Sequence, residues 1–259
     1  MDLFDPQLGA PGTGVVVTGG ASGIGLAAAQ ALAAVGRPVA LWDINAEGAK
    51  AAAADISARY GVAAIGQAVD LRNPQAIAPA VPQTRDALGS VGGIVHCAGT
   101  AVQTGIDGVT PENFDAGMAL HVRALLQLTQ AFRDDLRANP GSAIVATASI
   151  NAWFGNGMIP IYSAAKGAVI SLVRSMADEL SADGVRINTV SPGMIDTPIM
   201  EEQTKAFMKT AYGPRILLGR FGEPEELGRV IRFLMSNEAS YITATEFLVD
   251  GGIRHSQRP

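Results

Sequence analysis

Tyr162-Ser163-Ala164-Ala165-Lys166 sets a phenol and an ammonium at i and i+4. On a helix the two side chains share one face, with Cβ atoms about 6 Å apart. An ammonium beside a phenol favours the phenolate and lowers its pKa from about 10. A tyrosine tuned in that way can exchange a proton with an alcohol or a carbonyl near neutral pH. By spacing alone the same residues also fit an ordinary surface pair. Ser149 closes the apolar run that begins at Ser142, and its hydroxyl could hydrogen-bond the same substrate oxygen.

A second group of residues suits an anion. Val15-Val16-Val17-Thr18-Gly19-Gly20-Ala21-Ser22-Gly23-Ile24-Gly25 reads as strand, glycine-rich turn and helix start. Glycines let the backbone approach a pyrophosphate, and the helix N-terminus offers free N–H groups and a positive dipole end. The spacing Gly19, Gly23, Gly25 departs from the common G-x-G-x-x-G, and a plain turn also fits it. Asp43 ends the next apolar run, Val39–Trp42, about where a dinucleotide fold places an acid on the ribose hydroxyls. Its alternative role is a helix N-cap for 46–60. Asp70, followed by Leu71, ends a third run; it suits an adenine contact or another helix start.

These residues need a scaffold that brings strand ends together. Glycines 36, 61, 89, 141 and 184 each follow a helical stretch and precede a short β-branched apolar run. Glycine past a helix end supplies the left-handed residue of a C-cap. Runs that are apolar on both faces suit strands buried in a parallel sheet. Strands are expected near 14–18, 39–42, 63–69, 91–95, 142–147, 185–190 and 246–249. The longest helices are expected near 111–137 and 160–181. The fold class is α/β: a doubly wound, Rossmann-like parallel sheet of about seven strands with helices on both faces. No linker-like composition divides the 259 residues, so 1–259 reads as a single domain. The segment 194–222 is long for a connection and suits a substrate-covering lid. The first dozen residues and the tail 254–259 read as peripheral.

Composition excludes several alternatives. One cysteine, Cys97, permits neither an internal disulfide nor a cysteine metal site, and three histidines make a histidine metal cluster unfavourable, so no metal is expected. The net charge of −5 argues against a nucleic-acid partner. No apolar run approaches the roughly 18 residues of a membrane span. No Lys or Arg precedes Arg37, so the basic region of a signal peptide is absent and a cytoplasmic location is expected.

Taken in order, TGGASGIG at 18–25, Asp43, Asp70, Ala98-Gly99, Ser149, Tyr162-x-x-x-Lys166, Asn188-Thr189-Val190-Ser191-Pro192-Gly193 and Val249-Asp250-Gly251-Gly252 resemble the short-chain dehydrogenase/reductase family in its compact, roughly 250-residue form. The resemblance implies hydride transfer between a nicotinamide cofactor and a carbon bearing oxygen. It implies that Tyr162 is the general acid/base, that Ser149 polarises the substrate oxygen, and that Lys166 holds the nicotinamide ribose and lowers the tyrosine pKa. It implies a cofactor site formed by Gly19, Ser22, Gly23, Ile24, Gly25, Asp43, Asp70, Leu71, Cys97, Ala98, Gly99, Tyr162, Lys166, Pro192, Gly193, Ile195 and Thr197. Asp43 repels a 2′-phosphate, and Ser22 and Ile44 bring no positive charge to offset it. NAD is therefore the expected cofactor.

Two positions depart from the family pattern. His96-Cys97-Ala98-Gly99 replaces Asn-Asn-Ala-Gly; His96 reads as a buried, satisfied structural histidine and Cys97 as an inert thiol. His121 stands where the family has its fourth catalytic residue, an asparagine that helps to hold a relay water, partly through its carbonyl. The imidazole could keep that scaffold role, carry the proton itself with a pKa near 6.5, or mark a weakened site.

Met194, Met200, Phe207, Met208, Tyr212 and Phe221 in the lid, with Trp153, Phe154, Met158 and Ile159 before Tyr162, point to apolar walls. Lys205, Lys209 and Arg215 do not form an evident anion clamp. The expected substrate is an uncharged, apolar secondary alcohol or ketone, with a ring, terpenoid or steroid-like body among the options. The alternatives are a 3-oxoacyl-thioester reductase and an NAD-binding regulator that has lost turnover. Small and apolar residues of the long helices (Ala124, Leu125, Leu128, Ala168, Leu172 and Val173) suggest burial in a homotetramer.

Overall fold

Val15, Val16 and Val17 are fully buried and point alternately to the two faces of a seven-stranded sheet. Such a strand survives only where helices cover both faces. In the computed structural model, which describes residues 5–198 and 202–258, they do. The strands are β1 (Gly14–Thr18), β2 (Val39–Asp43), β3 (Ala64–Ala68), β4 (Val91–His96), β5 (Ala143–Thr147), β6 (Arg186–Pro192) and β7 (Glu246–Val249). All pair in parallel, in the order β3-β2-β1-β4-β5-β6-β7. Chain direction across the sheet reverses between β1 and β4, which opens a crevice at their carboxyl ends.

On one face lie α1 (Gly23–Ala33), α2 (Ala46–Tyr60) and, later in the chain, a helix over Pro224–Leu234. On the other lie α3 (Ile77–Leu88) and two long helices. The first of these was expected as one helix over 111–137. Instead, α4 (Pro111–Met118) passes through a π-helical turn, Ala119–Arg123, into α5 (Ala124–Ala138). A π-turn inserts one residue without breaking the apolar stripe, so periodicity reads straight through it. His121 sits in that turn. A short α6 (Asn151–Phe154) precedes the second long helix, α7 (Pro160–Ala182), which starts on a proline suited to a first turn.

The segment 194–222 holds α8 (Glu202–Tyr212) and a 3₁₀ turn, Gly213–Arg215; α9 (Pro224–Leu234) follows. Met200 lies outside the described residues. Ile195 and Gly222 pair as a β-bridge, so the segment leaves and returns at one point. The tail 254–258 lies largely at the surface, as expected, but is tied back to the chain: the Arg254 guanidinium stacks 3.9 Å from the Trp153 ring, and Arg258 Nη1 donates to the carbonyls of Ile216 and Leu217. Ala124, Leu125, Leu128 and Val173 are buried inside the single chain, so they need no partner subunit to cover them. Among the described residues no helix is long and apolar enough to cross a membrane.

Phe132 of α5 packs its ring 5.8 Å from that of Trp42 on β2, both essentially without solvent contact. Trp42 Nε1 donates to Gln67 Oε1 at 2.9 Å, so the ring cannot slide to refill a void. Phe132→Ala should therefore destabilise the fold by about 3–5 kcal/mol in chemical denaturation; a loss below about 1 kcal/mol would show that the two rings are not the rigid packing unit described.

Candidate active site

The sequence-derived residues converge at the carboxyl ends of the strands. Gly19, Ser22, Gly23, Ile24, Gly25, Asp43, Asp70, Leu71, Cys97, Ala98, Gly99, Ser149, Tyr162, Lys166, Pro192, Gly193, Ile195 and Thr197 all line one cavity of about 1090 Å³. His121 does not line it. It lies behind Gly99, where an added Cβ would meet the imidazole Cε1 at 2.5 Å.

The glycine loop is built for close approach. A Cβ on Gly19, at φ +66°, would strike the Ala98 nitrogen at 2.9 Å, and one on Gly25 would strike the Gly19 carbonyl oxygen at 2.1 Å. α1 then begins at Gly23, and its N-cap Ser22 makes no side-chain capping bond. Its first-turn N–H groups are left facing the cavity, an arrangement that fits a phosphate-bearing ligand. Asp43 Oδ2 accepts from the Ala21 N–H at 3.0 Å and Oδ1 from the Asn45 N–H at 2.9 Å. The α2 N-cap is Asn45, not Asp43. Asp70 binds Arg72 through both oxygens, with a shortest N–O distance of 2.7 Å.

At the other end, Lys166 is buried with no carboxylate beside it. Its Nζ donates to the Thr147 carbonyl at 2.6 Å, and burial lowers its pKa to about 8. The ammonium lies 5.5 Å from the centre of the Tyr162 ring. Burial raises the Tyr162 pKa, and only the Ser149 side chain pulls it back. The expected lowering by Lys166 is therefore absent in the protein alone, where desolvation of the phenolate wins. Ser149 Oγ accepts from the Asn151 N–H at 3.1 Å.

The two histidines are neutral. His121 Nε2 lies 3.1 Å from the Thr100 carbonyl, so it carries the proton, and Nδ1 is left as a buried acceptor without a partner. The ring meets Tyr162 edge-on, centroids 5.4 Å apart. Burial, then the Lys166 charge, lowers its pKa to about 3. An imidazole that titrates near 6.5 is thus replaced by one that stays neutral through the physiological range. His96 Nδ1 bonds Thr18 Oγ1 at 2.9 Å, and the backbone carbonyls of Leu120 and His121 act on the ring as acceptors. The His96 pKa falls to about 4 for the same two reasons in the same order. Cys97 Sγ contacts Thr147 Oγ1 at 3.1 Å, and burial raises the thiol to about 11, which makes it unreactive.

The substrate end of the cavity was read only in part. Phe154, Ile159, Met194, Met208 and Tyr212 line it, as their apolar character suggested. Phe221 instead packs into a small core with Ile150, Ile216 and Ile253, and Phe207 is 69% exposed. Arg72, Asn151 and Asn156 also line the cavity and were missed, and Arg215, which the sequence placed on the lid without a role, lines it as well. Only Arg72 carried a local signal, standing two residues after Asp70. The lid cations divide: Lys205 and Lys209 both pair with Asp196, at 2.9 and 2.6 Å, and Arg215 does not.

A fold of this topology, with an anion-binding strand–turn–helix and a Ser, Tyr and Lys on one crevice wall, defines an oxidoreductase of the nicotinamide-binding type. Comparison with known proteins agrees. Residues 19–254 match the family profile described as enoyl-(acyl carrier protein) reductase. A short-chain type dehydrogenase/reductase of Sinorhizobium fredii, y4mP, is 32% identical over 93% of this chain and 97% of its own. The probable galactose dehydrogenase GalD of Rhizobium meliloti is 34% identical over 93% of this chain and 94% of its own. The structure of L-sorbose reductase from Gluconobacter frateurii, complexed with NADPH and L-sorbose, superposes with a TM-score of 0.89 at 30% identity, covering 95% of this chain and 98% of that one. The chain belongs to the short-chain dehydrogenase/reductase family, whose members bind a nicotinamide dinucleotide.

Two buried histidines held neutral make the fold acid-labile. Their folded pKa values of about 4 and about 3 lie below the unfolded value, so the unfolded chain binds protons that the native one refuses. Their contribution is whole above about pH 6.5 and is lost progressively as pH falls towards 4 and 3. Stability measured by urea unfolding should decline through that window, and His121→Asn should flatten the decline. An unchanged slope would show that the ring is solvated or paired.

Proposed function

We propose that the protein is an NAD-dependent dehydrogenase or ketone reductase for a secondary alcohol whose body is largely apolar and whose reacting end is uncharged. The reading rests on one arrangement: Ser149, Tyr162 and Lys166 line the same cavity as the uncapped start of α1 and Asp43. When bound, the nicotinamide dinucleotide supplies the hydride acceptor or donor. The residues that would hold it are the 19–25 loop at the pyrophosphate and Asp43 at the adenosine ribose. Asp70 and Leu71 would flank the adenine, and Cys97, Ala98, Gly99, Pro192, Gly193, Ile195 and Thr197 would line the nicotinamide half.

Tyr162 is the acid/base. Its Oη takes the proton from the alcohol in oxidation and returns it to the carbonyl in reduction. Ser149 Oγ hydrogen-bonds the same substrate oxygen. Lys166 holds the nicotinamide ribose, and its charge offsets part of the desolvation cost of the phenolate. His121 acts as scaffold: it is neutral, its Nε2–H is committed to Thr100, and it stands behind the cavity wall. The segment 194–222 covers the substrate. NAD is favoured because Asp43 is held rigidly by two backbone N–H groups and the nearby Arg72 is neutralised by Asp70. The assembly is proposed as a homotetramer, with Phe114 and Leu126 as exposed apolar residues on the α4–α5 face; a monomer mass in light scattering at micromolar concentration would overturn it.

Tyr162→Phe should keep NADH affinity within about threefold and lower kcat by about a hundredfold or more on any alcohol the enzyme oxidises. Retention of near-parental kcat would remove Tyr162 from the chemistry. kcat/KM should favour NAD over NADP, and Asp43→Ala should narrow the ratio by about tenfold or more, since it removes both a ribose acceptor and the repulsion of a 2′-phosphate. A parental preference for NADP would refute the cofactor assignment.

A further inference from the structure

Three cationic side chains line the cavity: Arg72, Lys166 and Arg215. The first two have work. Arg72 is gripped by Asp70, and Lys166 is buried against the Thr147 carbonyl. The side chain of Arg215 makes neither ion pair nor hydrogen bond among the described residues. Among the described residues the carboxylates on the cavity wall are Asp43 and Asp70, and both are themselves engaged and lie at the β2–β3 end.

Arg215 is not a loose surface arginine at the level of its backbone. It ends the turn Gly213–Arg215, and the next residue, Ile216, is 1% exposed within the core formed with Ile150, Phe221 and Ile253. The Ile216 N–H donates to Gly213, and the Ile216 and Leu217 carbonyls accept from Arg258 in the tail. Leu218 N–H donates to Gly251. The guanidinium therefore extends from a fixed point. The other described residues of the 194–222 segment that line the cavity are apolar or neutral: Met194, Ile195, Thr197, Pro198, Met208 and Tyr212. The anionic part of the cofactor has its own receptor at the start of α1, beside Thr197.

A planar fork of N–H donors on a largely apolar wall selects carboxylates and other oxyanions. We propose that Arg215 recognises an oxyanion at the end of the substrate remote from the reacting carbon, so that the substrate is an apolar secondary alcohol or ketone bearing a carboxylate-like group. This rests on the dehydrogenase reading above and replaces the expectation of a wholly uncharged substrate.

The test compares 2-octanol with 7-hydroxyoctanoate, which present the same alcohol with and without a distal carboxylate, together with the shorter hydroxy acids down to 3-hydroxybutyrate. With NAD, at least one hydroxy acid should exceed 2-octanol in kcat/KM by about tenfold or more, mainly through KM. Arg215→Gln should shrink that ratio by about tenfold or more, and Arg215→Lys should restore part of it. Calorimetry on the NADH-loaded protein gives a turnover-independent arm: octanoate should bind more tightly than methyl octanoate, and Arg215→Gln should abolish the difference. Oxidation of 2-octanol but of no hydroxy acid would overturn the proposal, as would a ratio unmoved by Arg215→Gln. A loss of NADH affinity in that variant matching its loss on the hydroxy acid would also overturn it, reassigning Arg215 to the cofactor. If no alcohol turns over, the dehydrogenase reading fails, and equal binding of octanoate and its ester would sink the anion site separately.

Discussion

An ammonium buried without a carboxylate is the constraint around which this site is arranged. Among the described residues Lys166 has one hydrogen-bond partner, the Thr147 carbonyl, and is almost fully removed from solvent. Effective penalties for burying an unpaired ion run to several kcal/mol, and here part of that penalty shows as the fall of its pKa to about 8. Its charge then acts on everything nearby. It disfavours protonation of His96 and His121, which burial had already made costly. The buried cluster behind the cavity wall therefore favours one cation beside two neutral imidazoles rather than three competing charges. In the bare protein the charge does not overcome desolvation of the Tyr162 phenolate. A group so expensive to bury, with donors to spare, makes physical sense where a ligand's oxygens complete its shell.

The sheet topology explains why the ammonium, the phenol and the glycine loop meet. Reversal between β1 and β4 parts the connecting chains, and β4 and β5 deliver Cys97, Thr147 and Ser149 along one rim. Thr18 at the end of β1 stitches the rim by accepting from the Ala98 N–H and bonding His96 Nδ1. The glycine loop can then lie against Ala98 only because Gly19 has no side chain. His96 thus braces the two central strands from beneath the cavity.

The strand ends and the residues they carry were legible because each depends on local chemistry: an apolar run, a glycine after a helix, a hydroxyl or acid where the run stops. Ser149, Tyr162, Lys166 and Asp43 came to one cavity for that reason. Other features are settled between distant parts of the chain. The π-turn leaves no trace in the 3.6-residue period, so His121 read as part of a straight helix and as a group facing the chemistry. Whether a lid cation is free depends on where Asp196 lies, which no spacing rule contains. The tail looked dispensable because Arg254 and Arg258 resemble solvated charges, yet their partners, Trp153 and the Ile216–Leu217 carbonyls, are remote in sequence. The phenol shift went the opposite way to expectation because motif spacing reports the neighbouring charge but not the depth of burial.

The two ends of the cavity differ in how they are held, and that difference bears on specificity. The cofactor half grows from strands and glycines that pack into the two large cores, where adding one carbon causes a clash. The substrate half grows from a separate small core of Ile150, Ile216, Phe221 and Ile253; the 194–222 segment over it is closed on itself by a β-bridge and the Asp196 ion pairs and is held to the tail by Arg258. Small clusters with solvent-exposed ties open at lower free energy than the main core. Residues on this half can therefore change without disturbing the wall that carries Tyr162 and Lys166. In such a layout the chemistry is set by groups whose positions the sheet over-determines. The choice of substrate falls to a few side chains, Arg215 among them, whose backbone is firm and whose functional ends are free.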